Sequence, residues 1–349
     1  MRSAVAPKLA RGLVVLAFAA ATSGCAEQVP SHLSGWDIFV DGASQTPESD
    51  VIPYTIISPL FSDYANKHRF VRLPEGGQVH YTDTGDWVWP SGTVIVKTFG
   101  YLADLRDPSL GERIVETRLL VLDELGEWHP YVYTWDDDMR DATRARAGAR
   151  VDVAWTHTDG SQRTLQYRVP NEVQCANCHG GTQPATPIGP RTAQIDTNND
   201  YGAGPENQIA HFESLGWFDG PVPSARMHFE DPEGTGDLDA RARAYLDANC
   251  SHCHNEHGAA AQSGLWLGAD ITTPAMFGVC KRPVAAGAGA GGRRFDIVPG
   301  QPDDSVMVFR MESEEPGIKM PELPSQLSHA EGVALIREWI AAMSPAGCE

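Results

Sequence analysis

Two copies of one short motif constrain this chain more than any other feature. They are Cys175-Ala-Asn-Cys178-His179 and Cys250-Ser-His-Cys253-His254. In such a motif, two thiols on one tight turn can add to the two vinyl groups of haem, and the adjacent imidazole can reach the iron as its proximal ligand. The sequence therefore predicts two covalently bound haem c groups. The predicted attachment residues are Cys175, Cys178, Cys250 and Cys253, and the predicted iron ligands are His179 and His254.

Zinc ribbons and redox dithiols also contain Cys-x-x-Cys pairs. Ribbon halves lie roughly 15 to 20 residues apart, whereas the pairs here begin at residues 175 and 250. Zinc does not require a histidine directly after each pair, and no βαβ pattern surrounds either pair, as a thioredoxin-like dithiol would need. Haem is therefore the favoured cofactor, with zinc and a dithiol as the alternatives.

A sixth ligand decides what a haem iron can do. Met320 follows the second motif and precedes the predicted last helix, so a loop there can fold over the open face of that haem. A His/Met pair raises the reduction potential and closes the iron to small ligands, which suits electron transfer. The alternative for Met320 is packing in the core. For the first haem the sixth ligand stays open between Met227, His211, His228 and none.

The composition bears on partners. Asp and Glu number 46 against 27 Lys and Arg, and the formal net charge is -19. No Lys/Arg run supplies the basic stripe that phosphate binding requires, so we expect no nucleic acid partner. An acidic surface can instead steer a basic redox protein toward the chain, or it can simply keep the chain solvated.

The N-terminus has the layout of a secretory signal peptide, with basic residues before an apolar run at 13–21. The run is too short to span a bilayer as a permanent helix. Small residues before Cys25 resemble the lipoprotein cleavage site of bacteria, although Thr22 stands where that site usually has Leu. We expect a signal peptide over 1–24, followed either by a lipid anchor on Cys25 or by release into the periplasm.

The number of cysteines bears on whether Cys25 carries a lipid. Seven cysteines, four of them in the motifs, leave Cys25, Cys280 and Cys348. With Cys25 lipidated, Cys280 and Cys348 can form a disulfide in an oxidising compartment. The alternative is two free thiols.

The remaining chain divides into a β-rich and a helical part, which predicts an α+β multidomain fold. After a linker over 25–52, residues 53–170 consist of β-branched and aromatic stretches separated by turns, which is typical of an antiparallel β-sandwich-like domain. Residues 171–236 form a first haem-binding segment with one helix near 205–215. The helical pattern of residues 237–349 predicts a mainly α, cytochrome c-like haem domain around the second motif.

Two helix starts are visible in this last part. Asp237 or Asp239 can cap a helix that runs directly into Cys250. Ser328 can cap the last helix, with Glu331 three residues on. Met307 and Met311 fall in a strand-like run, which favours Met320 as the iron ligand.

Short stretches spread along the chain carry a further pattern. They are Pro59-Leu-Phe-Ser-Asp-Tyr-Ala65, Lys97-Thr-Phe99, Glu116-Thr-Arg-Leu-Leu120, Tyr133-Thr-Trp135, Pro187-Ile-Gly-Pro190, Asn207-Gln208, Arg241-Ala-Arg-Ala-Tyr-Leu246, Pro299-Gly-Gln-Pro302 and Met320-Pro321.

With the two motifs, these stretches resemble a bacterial family of exported di-haem c-type cytochromes with a β-rich N-terminal region. The C-terminal stretches also resemble cytochrome modules attached to quinone-dependent sugar dehydrogenases. The resemblance implies haem c, electron transfer and Met320 as distal ligand, and it supplies no substrate.

The expected function is electron transfer outside the cytoplasm, by a periplasmic or membrane-anchored protein whose two haems exchange electrons with each other and with redox protein partners. The alternative is a haem enzyme with peroxidase-like catalysis at the first haem. That alternative follows from the lack of an obvious sixth ligand there.

Overall fold

The chain is described by a computed structural model. The predicted signal peptide and Cys25 lie outside the described residues. Within the described part, no helix has both the length and the apolar character that crossing a membrane requires. The described residues are 29–82, 87–180, 184–284, 286–323, 325–345 and 347–348, without the side chains of 176 and 177.

A six-stranded antiparallel sheet forms the N-terminal half, and its strands follow one another in chain order. β-Branched and aromatic residues dominate its long central strands, as expected of stretches that fit a pleated surface. This confirms the predicted antiparallel β-rich region. The strands are β3 (Val51–Pro53), β4 (Asn66–Arg72), β5 (Val94–Leu102), β6 (Glu112–Leu122), β7 (Trp128–Trp135) and β8 (Ala142–Arg144).

A two-stranded hairpin lies on one face of this sheet. It consists of β9 (Ala149–Thr156) and β10 (Gln162–Val169). Its Trp155 and Tyr167 are buried in one cluster with Phe99 of the sheet. The predicted second layer of a sandwich is therefore, within the described residues, a single hairpin that covers part of the sheet.

The segment 25–52, predicted as a linker, is folded from its middle onward. It forms a short 3-10 helix, Leu33–Trp36, and a small hairpin of β1 (Phe39–Asp41) and β2 (Thr46–Pro47). Leu33 and Ile38 are buried against the other face of the sheet. The linker prediction was wrong here because these apolar side chains cover a sheet face that would otherwise contact water.

The segment 171–236 lies across the hairpin face of the sheet rather than apart from it. Ile195, Ile209 and Phe212 pack against Ile95 and Leu120 of the sheet. The helix predicted near 205–215 begins later, because 205–207 pair as a strand and the Asn207 side chain caps the helix. The elements are α1 (Glu172–His179), α2 (Thr192–Ile195), β11 (Asn198–Asp200), β12 (Pro205–Asn207) and α3 (Gln208–Ser214).

Three helices share a core in the C-terminal part: α4 (Leu238–Leu246), α5 (Val306–Glu312) and α6 (Ala330–Ala342). The Asp237 side chain accepts a hydrogen bond from the amide of Ala240, so the predicted cap of α4 is confirmed. A π-helical turn, Asp247–Ser251, then leads into the second motif.

Two local predictions for this part were wrong. His329, not Ser328, occupies the N-cap position of α6, and the Ser328 hydroxyl instead donates to the carbonyl of Met311. Met307 and Met311 lie on α5 rather than in a strand, and both are buried. β-Branched neighbours favour a strand locally, but packing against α4 and α6 outweighs that preference.

Cys280 and Cys348 form a disulfide that ties the C-terminal residues to the loop that carries Cys280, between α4 and α5. This is the pairing that the cysteine parity allowed.

Candidate functional site

The first motif lies on α1, which begins at Glu172 and ends at His179. The guanidinium of Arg144 holds the Glu172 carboxylate with two hydrogen bonds of 2.8 and 3.0 Å, which anchors the start of the helix to the sheet. Cys175 packs against the cluster that contains Phe99 and Tyr167. The sheet therefore fixes the position of the first motif.

His179 is prepared to act as a metal ligand through Nε2. Its Nδ1 lies 2.9 Å from the carbonyl oxygen of Thr186, and because a carbonyl can only accept, Nδ1 carries the proton. A hydrogen bond of this kind is common behind metal-bound histidines, since it sets the tautomer and the ring orientation. Burial lowers the pKa of His179 to about 4, so the imidazole is neutral at neutral pH.

The second motif follows the π-helical turn after α4. Cys250 packs against the C-terminal helical core. His254 is largely buried, and this burial lowers its pKa to about 4. Its backbone carbonyl accepts from the amide of Leu267, and the Ser263 hydroxyl lies 3.4 Å from Nδ1. His254 is therefore also a neutral imidazole in a constrained position.

The two motifs, remote in sequence, meet in the structure. Ligand atoms of Cys178, His252 and Cys253 all lie within 4.8 Å of one another. Hydrogen bonding between the two sulfurs lowers the pKa of Cys178 and raises that of Cys253. Within the described residues, His252 Nδ1 is buried without a hydrogen-bond partner. Sequence reasoning missed this meeting point, because only the tertiary fold brings the motifs together.

A cavity of about 580 Å³ adjoins the first motif, and Cys178, His179, Met227, His252 and His254 are among its lining residues. Its volume is within the range of small-molecule and cofactor pockets. Of the three sixth-ligand candidates, the structure brings Met227 to this cavity.

The other two candidates lie in different surroundings. The ring of His211 stacks on Tyr201 at a centroid distance of 3.6 Å, and its Nδ1 lies 2.9 Å from the carboxylate of Glu206. His228 is exposed.

A second cavity of about 560 Å³ is lined by Cys250, Cys253, His254 and Met320. The structure thus brings together the four residues predicted for the second haem. Met307 and Met311 of α5 line it as well.

The loop that carries Met320 is fastened at several points. The amide of Met320 donates to the carbonyl of Arg310 at 2.9 Å. The buried ammonium of Lys319 donates to the carbonyl of Pro321 at 2.6 Å and to the hydroxyl of Ser325 at 2.8 Å. Met320 is therefore held in the cavity wall by its neighbours' hydrogen bonds.

An ion pair joins the two motif-bearing segments. Arg191, from the segment of the first motif, donates to the carboxylate of Asp247 in the π-helical turn. The second carboxylate oxygen of Asp247 accepts from the amide of Ala269 at 3.0 Å. Because both residues line the first cavity, this ion pair fixes one wall of it.

The residues present fit haem c. The first motif lines its cavity with the thiol of Cys178 and the neutral imidazole of His179, while Cys175 packs against the sheet cluster. The second cavity is lined by both thiols and the imidazole of its motif and by the thioether of Met320. The group Cys178, His252 and Cys253 also fits a soft metal ion such as zinc, whose usual ligands are thiolate and imidazole.

Comparison with known proteins adds nothing to this assignment. No protein-family model matches the chain, and neither the curated proteins nor the solved structures contain a match.

Proposed function

We propose that this protein is an exported di-haem c-type cytochrome that transfers electrons outside the cytoplasm. One observation carries the proposal: two Cys-x-x-Cys-His motifs, remote in sequence, lie side by side at the edges of two cofactor-sized cavities. The α4, α5 and α6 helices around the second cavity would then form a cytochrome c-like module.

Each haem would be held by residues of its own motif. The first haem would be attached by Cys175 and Cys178 and ligated by His179. The second haem would be attached by Cys250 and Cys253 and ligated by His254. When bound, haem c supplies a one-electron couple whose potential depends on the axial ligands and their surroundings.

Sixth ligands complete the proposed sites. Met320 lines the second cavity with His254, and Met227 lines the first with His179. A His/Met pair at both sites would favour electron transfer over peroxidase-like catalysis, which needs an open coordination position.

The neighbouring positions of Cys178 and Cys253 support electron exchange within the chain. These residues belong to different motifs, so the attachment points of the two haems would be adjacent. One site can then receive an electron from a redox partner and the other can pass it on.

A second candidate function is binding of a single soft metal ion by Cys178, His252 and Cys253. The proximity of these three ligand atoms favours it. Zinc bound in this way would make the site structural or catalytic rather than redox-active.

Metal analysis and absorption spectroscopy of the full-length protein separate the candidates. The protein would be produced in cells able to attach haem c. Two equivalents of iron with the spectrum of low-spin haem c support the proposal. One equivalent of zinc in a colourless protein would overturn it, and one high-spin haem would favour the peroxidase-like alternative. The matched variants Cys175→Ala/Cys178→Ala and Cys250→Ala/Cys253→Ala should each lose one of the two haems.

A further inference from the structure

A row of positive charges crosses the hairpin face of the large sheet. Arg69 on β4 is paired in register with Lys97 on β5, which is in turn paired with Arg118 on β6. Lys67 lies two residues before Arg69, and therefore on the same face of β4. We call Lys67, Arg69, Lys97 and Arg118 the cationic row.

Among the described residues of the sheet, Glu116 is the carboxylate on this face, and it already has hydrogen-bond partners. Glu116 is fully buried and accepts two hydrogen bonds from Arg118, at 2.5 and 2.9 Å. The hydroxyl of Tyr167 donates to the same carboxylate at 2.7 Å. Glu116 thus forms an ion pair with one member of the cationic row. Among the described residues, no carboxylate lies within ion-pair distance of the other three, although the charge of Asp63 acts on Lys67 from farther away.

Those three members have weaker partners. Lys67 Nζ and Arg69 Nη1 donate to backbone carbonyls, and Lys97 Nζ lies 5.2 Å from the centre of the Phe99 ring. Among the residues described by the structure, Arg69 Nη2 is buried without a hydrogen-bond partner. A buried guanidinium nitrogen without a partner has lost its hydrogen bonds to water and has formed none within the protein.

Like charges directly opposite one another on adjacent strands destabilise a sheet, and burial adds a desolvation penalty. The effect is visible in the lysines: burial lowers the pKa of Lys67 to about 7 and that of Lys97 well below its usual value. An anion placed against the cationic row would offset the repulsion and accept the hydrogen bonds that the buried cations lack.

The cationic row lies beside the first motif. Cys175 packs in the same cluster as Phe99 and Tyr167. The charge of Arg118 acts on Cys175, and the charges of Lys97 and Arg118 act on His179. An anion bound there would therefore lie next to a cofactor held by α1.

We propose that the cationic row is a binding site for an oxyanion of the carboxylate or phosphate type. The hairpin and α1 cover this face, so the ligand must be a small group rather than a macromolecule. Two sources supply such chemistry: the carboxylates of a haem attached to Cys175 and Cys178, or a free small oxyanion. The first source rests on the proposed function and the second does not.

The test compares the full-length protein with Lys97→Gln. Arg282→Gln serves as the matched control, because Arg282 is exposed and also lies over a phenylalanine ring, that of Phe295. Melting temperatures are measured against inorganic phosphate, with sodium chloride at equal ionic strength as reference. Reduced-minus-oxidised infrared spectra are recorded with haem carrying isotope-labelled carboxylates.

Each source gives its own result. If the haem carboxylates occupy the site, their labelled bands shift in Lys97→Gln and not in Arg282→Gln, and phosphate has no specific effect. If a free oxyanion occupies it, phosphate raises the melting temperature of the wild type and of Arg282→Gln, and Lys97→Gln abolishes the rise.

The proposal is overturned if the labelled bands stay in place and phosphate has no specific effect, whatever the melting temperature of Lys97→Gln. A higher melting temperature of Lys97→Gln in that case would mean that removing the charge only relieves repulsion. A colourless protein would refute the proposed function alone, since the phosphate measurement can still be made on it.

Discussion

Cys178 and Cys253, which belong to different motifs, lie next to each other, with ligand atoms within 4.8 Å. The sheet positions α1 and so Cys178, whereas α4 and its π-helical turn position Cys253. The ion pair between Arg191 and Asp247 holds the two segments together near this point. The contact therefore depends on both halves of the chain.

Replacement of Met320 by alanine should convert one haem to the high-spin state without releasing it. Met320 lines the cavity of the second motif, and the proposed thioether bonds to Cys250 and Cys253 would not depend on it. Absorption and electron paramagnetic resonance spectra check this, together with a fall in the potential of that haem. Met343→Ala is the control, because Met343 follows α6 and packs against the helical core. Identical spectra for the wild type and Met320→Ala would remove Met320 as a ligand.

Met227→Ala should have the same effect on the other haem. Met227 lines the cavity that adjoins His179, whereas His211 stacks on Tyr201 and His228 is exposed. His211→Ala and His228→Ala should therefore keep both haems low-spin. If one of the histidine variants instead converted that haem to the high-spin state, and Met227→Ala left both haems low-spin, that histidine would be the sixth ligand.

Some of this site was predictable from the sequence. The proposed attachment residues follow from the motifs alone, and the position of Met320 before the last helix indicated that it lies near the second motif, as the cavity lining shows. The cap at Asp237 was predictable because an N-cap is a local interaction between a side chain and nearby amides.

Other features were not predictable because they depend on tertiary packing. Leu33 and Ile38 look like isolated apolar residues in a linker until the sheet face that they cover is known. A serine hydroxyl can cap a helix, but that of Ser328 donates instead to the carbonyl of Met311. His252 lay unremarked inside the second motif, since its neighbour Cys178 comes from another segment.

Loss of the disulfide should lower the stability of the oxidised protein. Cys280 and Cys348 are separated by 68 residues in sequence, and a disulfide typically contributes about 2–4 kcal/mol to the free energy of unfolding, with long loops toward the upper end. Urea denaturation of a Cys280→Ser/Cys348→Ser variant measures the loss. Under reducing conditions the wild type should approach the variant, and equal stabilities under oxidising conditions would contradict the prediction.

Lys67 should make the stability of the protein depend on pH when the cationic row holds no anion. Burial and the charges of Arg69 and Arg118 lower the pKa of Lys67 from 10.5 to about 7, and Asp63 partly opposes this. The unfolded chain therefore binds more protons between these two values, and stability rises with pH across that window.

Urea denaturation at several pH values checks the sign. The Lys67→Gln variant should gain stability relative to the wild type below pH 7, and the difference should shrink toward pH 10.5. A bound oxyanion would reduce the difference by favouring the charged ammonium. A constant difference across the window would show that Lys67 is not desolvated in the folded protein.

The mass of the denatured, full-length chain tests the central claim most directly, because thioether bonds survive denaturation and other haem contacts do not. From cells competent in haem c attachment, the account predicts a mass increased by two haem groups, and by one group after substitution of either cysteine pair. A chain mass with no added porphyrin would contradict the account.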